Sequence, residues 1–88
     1  MTLKAEFQTM AQRMDAATVE RELDRVGRFP ASLDEVEVTR IAAKVGTSPE
    51  MVRDVFDGIR IYAECLRERM RQQLQEFLTE LTRGKGGD

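Results

Sequence analysis

Pro49 to Leu81 runs 33 residues with no proline after the first position and one glycine, Gly58, while carrying large apolar residues at helical spacing. Ile59, Tyr62, Leu66, Met70, Leu74, Phe77 and Leu81 recur about every 3.7 residues, the period of a straight α-helix rather than the roughly 3.5 of a left-handed coiled coil. Unbroken, this stretch would span about 50 Å at 1.5 Å per residue, whereas a compact chain of this length has a radius of gyration of about 12 Å. Either the helix bends at Gly58, a poor helix former, or it projects and buries its stripe against another chain. The second outcome predicts a homodimer whose seam is Leu66, Met70, Leu74, Phe77 and Leu81. Arg60, Glu64, Arg67, Glu68 and Arg71 are spaced for i,i+3 and i,i+4 pairing and read as a solvated face.

Upstream, Leu3, Phe7, Met10, Met14 and Ala17 alternate spacings of four and three, which predicts an amphipathic N-terminal helix. Val19, Leu23 and Val26 fall out of that phase, so Asp15 or Thr18 is expected to restart a second helix that Gly27 ends. Phe29-Pro30 reads as an extended connector, and Ser32 with Glu35 as a capping box opening the next helix. Ile41, Ala42 and Val45 share a face that ends at Gly46, where a left-handed cap needs no Cβ. Thr47 or Ser48 then caps a helix with Pro49 in its first turn and Val52, Val55, Phe56 and Ile59 on its apolar face.

The spacing Ala42, Gly46, Val52 and Val55 within residues 38–59 resembles the helix-turn-helix superfamily, with a small residue before the turn glycine and apolar residues after it. That resemblance implies a tri-helical core used for DNA reading or for protein docking. The string from Ser32 to Ile59 is also similar to the N-terminal helical bundle of the thioredoxin-like iron-sulfur subunit of NADH-quinone oxidoreductases. There the family's Phe-Tyr pair is replaced by Gly58-Ile59 and its four cluster cysteines are missing, so the resemblance implies a docking bundle and no cluster.

Bulk properties narrow the function. Charged residues make up 34% and apolar residues 41% of the chain, and no apolar run approaches the roughly 20 residues of a membrane span, which predicts a cytoplasmic protein without membrane contact. The chain has no histidine, and its single Cys65 has no imidazole partner to activate it. Neither ExxE pairs nor a GxxxxGK phosphate loop is present, since the GKGG string follows a helix instead of preceding one. A non-catalytic protein with no cofactor or metal is expected.

For DNA, the second helix of the unit would present Glu50, Arg53, Asp54 and Asp57, one arginine among three carboxylates that phosphates repel. Arg40, Lys44 and Arg60 flank it and offset part of that repulsion. The net charge of −2 supplies no basic excess. The sequence therefore predicts an all-α chain of four to five helices, with a helix-turn-helix-like core and a long C-terminal helix. Residues 1–83 form one domain and 84–88 a disordered tail. Its expected role is that of a small adaptor or regulator binding a protein partner and forming a homodimer, with a dimeric DNA-binding regulator as the alternative.

Overall fold

The structure, a computed structural model, describes residues 2–30 and 32–86, and among them every regular element is helical. The order is α1 (Leu3–Gln12), α2 (Ala16–Val26), α3 (Glu35–Val45) and α4 (Pro49–Gly86). All three short helices pack on α4, which is the common wall of the core. The radius of gyration is 17.6 Å and the principal extents are 64 × 27 × 17 Å, so the molecule is a rod with its mass at one end.

The helix α4 does not break at Gly58. Its hydrogen-bonded spiral continues through that residue, and a Cβ placed there would meet Leu3 Cδ2 at 3.7 Å, an ordinary contact. One glycine costs about 1 kcal/mol against alanine, which the long cooperative helix on either side absorbs. The helix also runs past Arg83 to Gly86, so the expected tail does not begin at residue 84; residues 87 and 88 lie outside the described residues. Gly84, which could have capped the helix, stays inside it and does not take the left-handed conformation that Gly46 adopts.

Local signals set the ends of the short helices. Asp15 caps α2, its Oδ1 accepting from the Thr18 N–H at 2.8 Å, as one of the two expected restarts. Those bonds from Thr18 hold the Asp15 carboxyl below its ordinary pKa. Helix α3 opens at Asp34 and not at Ser32. The Asp34 carboxylate accepts from the Glu37 N–H at 2.8 Å, and Leu33 just ahead packs against the cluster that contains Val38. A carboxylate cap with an apolar residue at each side of the first turn outcompetes a hydroxyl two residues earlier. At the other end Gly46 adopts φ 83° and ψ 38°, and the N–H groups of Gly46 and Thr47 both donate to the Ala42 carbonyl at 2.9 Å. Ser48 caps α4, its Oγ accepting from the Met51 N–H at 3.2 Å.

Packing revises the N-terminal seam. Ala11 is buried while Met10 and Ala17 are exposed, so the face of α1 on α4 centres on Phe7 and Ala11, with Leu3, itself half exposed, reaching α4 beside Gly58. The small side chain of Ala11 lets the two helices approach, and α1 ends at Gln12, before the heptad phase could reach Met14 or Ala17. The Phe7 ring lies 5.1 Å from that of Tyr62, and the Cys65 thiol donates to the Lys4 carbonyl at 3.8 Å. Contacts advance together along both helices, so α1 runs parallel to α4. Between α2 and α4, Val19 and Leu66 are fully buried.

Candidate interaction surfaces

The α3–α4 hairpin is held by Val38, Ala42 and Val52, with Leu33, Ile41 and Phe56 packed against them. Phe29, from the connector, sets its ring edge-on to Phe56 at 6.0 Å. Val55, expected in this core, is half exposed, and Val45 is more exposed still. The reason is a missing cover. Val45 lies almost two turns after Val38 on the same face of α3, and Met51 and Val55 flank Val52 on α4. A third helix laid along that edge would bury them, but α1 and α2 pack further down α4 instead. Val45, Met51 and Val55 therefore form an uncovered apolar border to the hairpin core.

The acidic face beside that border holds its arginine in place. Both nitrogens of one edge of the Arg53 guanidinium donate to the Glu35 carboxylate, Nε at 3.2 Å and Nη2 closer, tying the start of α3 to the first turns of α4. This hydrogen-bonded pairing with Glu35 raises the Arg53 pKa, with Glu50 adding to the field. Asp57 is paired in turn, accepting from Arg60 at 3.0 Å. Glu50 and Asp54 are exposed. The four residues do gather at one end of the molecule, but as a set of local ion pairs and free carboxylates. Exposed pairs of this kind contribute about 0–1 kcal/mol and orient side chains more than they stabilise the fold.

Between the end of α2, the connector and α4 lies an open groove of about 670 Å³. Leu23, Val26, Phe29 and Phe56 contribute its apolar surface, and Arg60 and Arg67 line its α4 side.

The second surface is the free end of α4. A polar layer closes the molecule's own core: Gln12 Nε2 donates to Gln72 Oε1 at 2.9 Å, Arg69 reaches Gln12 at 3.4 Å, and Gln73 Nε2 donates to the Met14 carbonyl at 3.1 Å. Past Gln73 residues 74–84 are all exposed, and large apolar side chains stand among them: Leu74, Phe77, Leu78 and Leu81 are each 48–60% exposed. This corrects the predicted seam. Leu66 is 0% exposed and belongs to the molecule's own core, and Met70 is partly buried, so only Leu74, Phe77 and Leu81 of the expected five stand free. Leu78 joins them; its spacing of four from Leu74 and three from Leu81 is the signal in the sequence that identifies it.

Cys65 is buried against α1, and that burial pushes its thiol pKa up, away from the thiolate form a nucleophile needs. Among the described residues no three His, Cys, Asp or Glu side chains converge as metal ligands, and no helix is long and apolar enough to cross a membrane. Compared with family models, with curated proteins and with solved structures, the chain gives no significant match.

Proposed function

We propose that this protein is a small non-catalytic adaptor or regulator that acts by binding other proteins, through the apolar border of its α3–α4 hairpin and through the free end of α4. The observation that carries this is the resumption of large apolar side chains beyond the polar layer of Gln12, Arg69, Gln72 and Gln73. A chain this small buries only a modest share of its surface, and apolar side chains left outside a sealed core are the usual mark of an interface. Val45, Met51 and Val55 repeat the pattern at the opposite end, beside acidic residues that suit a basic rim on the partner. A DNA-binding role for the hairpin would require Arg53 to leave Glu35 and three carboxylates to approach phosphates.

Photo-cross-linking in the native cell tests the hairpin surface. A photoreactive residue at Met51 should yield a discrete adduct that Val55→Asp abolishes without lowering the melting temperature. The same adducts from a probe at Glu20, on the exposed side of α2, would show that the border has no partner of its own.

A further inference from the structure

Helices α2 and α3 both pack on α4, and the groove between the end of α2, the connector and α4 is the gap they leave beside Ala63. We propose that this groove binds a small anionic amphiphile, a free long-chain carboxylate, with its apolar chain along the groove and its carboxylate on Arg67. The site uses neither the hairpin border nor the free end of α4.

Size and lining point to a small ligand. The volume of about 670 Å³ lies within the roughly 300–1,000 Å³ of such sites. Ala63 is 8% exposed, and its small side chain keeps the floor low, with Leu23 and Val26 from α2 and Phe56 and Ile59 from α4 also lining the groove. Phe29, 48% exposed, extends the apolar lining on the connector side. A partner helix fits less well. With its side chains a helix is about 10 Å across, so three turns occupy on the order of 1,300 Å³ and would stand largely outside the groove.

Helix geometry sorts the charges of α4 into two ranks. Going round the helix from Ala63, Arg67 and Arg60 lie about 40–60° away, whereas Glu64 and Asp57 lie about 100–120° away in the same direction. The arginines therefore border the apolar floor, and the carboxylates stand behind them. Two of the three arginines on this rim are already engaged. Arg60 donates to Asp57 at 3.0 Å, and Arg53, further along, is held by Glu35. Arg67 enters no ion pair among the described residues. One uncommitted cation beside an apolar floor matches a ligand with a single negative head and an apolar body. A polyanion such as a nucleotide would set further negative charge against Asp57 and Glu64.

The chain supplies the affinity and the head supplies the choice. Each methylene that leaves water tightens binding by up to about four-fold. The contact of the exposed Arg67 with a carboxylate adds about two- to five-fold more.

An amide-resolved NMR titration of the full chain with decanoate and dodecanoate, each below its micelle concentration, tests the site. Shifts should centre on Val26, Phe29, Ala63 and Arg67, and dodecanoate should bind several-fold tighter than decanoate. Arg67→Gln should weaken decanoate about two- to five-fold at low salt and leave decanol unchanged. Ala63→Leu fills the floor and should weaken both ligands at least about tenfold. If that variant loses stability, Phe29→Ala, at an exposed residue, takes its place with a several-fold loss for both. Four results overturn the proposal: no shifts with either carboxylate, shifts centred on Leu74 to Leu81, decanol bound as tightly as decanoate, or Arg67→Gln binding decanoate as wild type does. A photoreactive residue at Val26 that gives a discrete protein adduct in the native cell also overturns it, assigning the groove to a partner. Any of these leaves the hairpin surface untouched, because its test is the Met51 adduct.

Discussion

The Tyr62 hydroxyl donates to the Glu22 carboxylate at 2.7 Å, joining two residues forty positions apart and pinning the middle of α2 to α4. Arg25 donates to the other oxygen of Glu22 at 2.9 Å, so the carboxylate is satisfied from both sides. Each partner shifts the other. The Tyr62 bond, with Arg25 second, holds Glu22 below its ordinary pKa, while burial and the Glu22 charge push Tyr62 up to about 12.

The pH dependence of stability follows from these directions. Glu22 is lowered in the folded state, so its contribution is present above its unfolded pKa of about 4.3 and fades as pH falls below that. Tyr62 is raised, so its contribution is whole below pH of about 10 and is lost as pH climbs toward 12. Tyr62→Phe should cost about 1–2 kcal/mol at neutral pH, the net worth of a hydrogen bond to a charged group at a part-buried site. It should also weaken the decline on both flanks. Denaturant melts across pH check this, and ultraviolet titration is unambiguous because Tyr62 is the only tyrosine; a phenol titrating at about 10 in the folded protein would refute the bond.

Gly46 offers a separate test of the hairpin. A Cβ there would meet nothing within 4 Å, so the cost of Gly46→Ala is purely that of a non-glycine residue at φ 83°. About 1–2 kcal/mol is expected, with Gly46→Val costlier and Gly46→Asn milder. Thermal melts that rank valine equal to wild type would mean that the turn does not hold this conformation.

Arg53 decides how the hairpin meets nucleic acid. Purified protein should bind mixed-sequence duplex DNA no tighter than about 10⁻⁵ M at near-physiological salt, within the non-specific range. Glu35→Gln removes the charge that holds Arg53 and should tighten binding only slightly, since Glu50, Asp54 and Asp57 remain. Sub-micromolar binding of the wild type to a natural promoter fragment, lost with Arg53→Ala, would establish the DNA-binding alternative.

Cys65, the only thiol, reports the seating of α1. Reaction with a thiol reagent should be at least about 100-fold slower in the folded protein than in denaturant, because access requires α1 to lift from α4. Phe7→Ala loosens that contact and should raise the rate. Equal rates in folded and unfolded protein would mean that α1 is not docked.

Much of this arrangement was legible from local chemistry. The long apolar period of α4 and the left-handed Gly46 are set by residues within a turn of one another, so spacing and backbone preference suffice to find them, while the α2 restart is narrowed to Asp15 or Thr18 and the α4 cap to Thr47 or Ser48. Harder to read was which face of each helix would be covered. Met10 and Ala11 compete for the seam of α1, and Ala11 prevails because α4 needs a small residue at the point of approach. Ser32 and Asp34 compete for the cap of α3, and Leu33 decides between them by packing on the hairpin cluster.

What the sequence determines by itself is the set of helices, the turn at Gly46, and the presence of more apolar stripe on α4 than one small chain can cover. Those features depend on contacts within a few residues and carry their own periodicity. Only the tertiary structure decides where the cover ends. Leu66 and Leu74 are indistinguishable as members of one stripe, yet one is fully buried and the other is half exposed beyond Gln73. That difference depends on where α1 and α2 lie along α4, which is fixed by packing between segments some forty to sixty residues apart, and no local spacing encodes it.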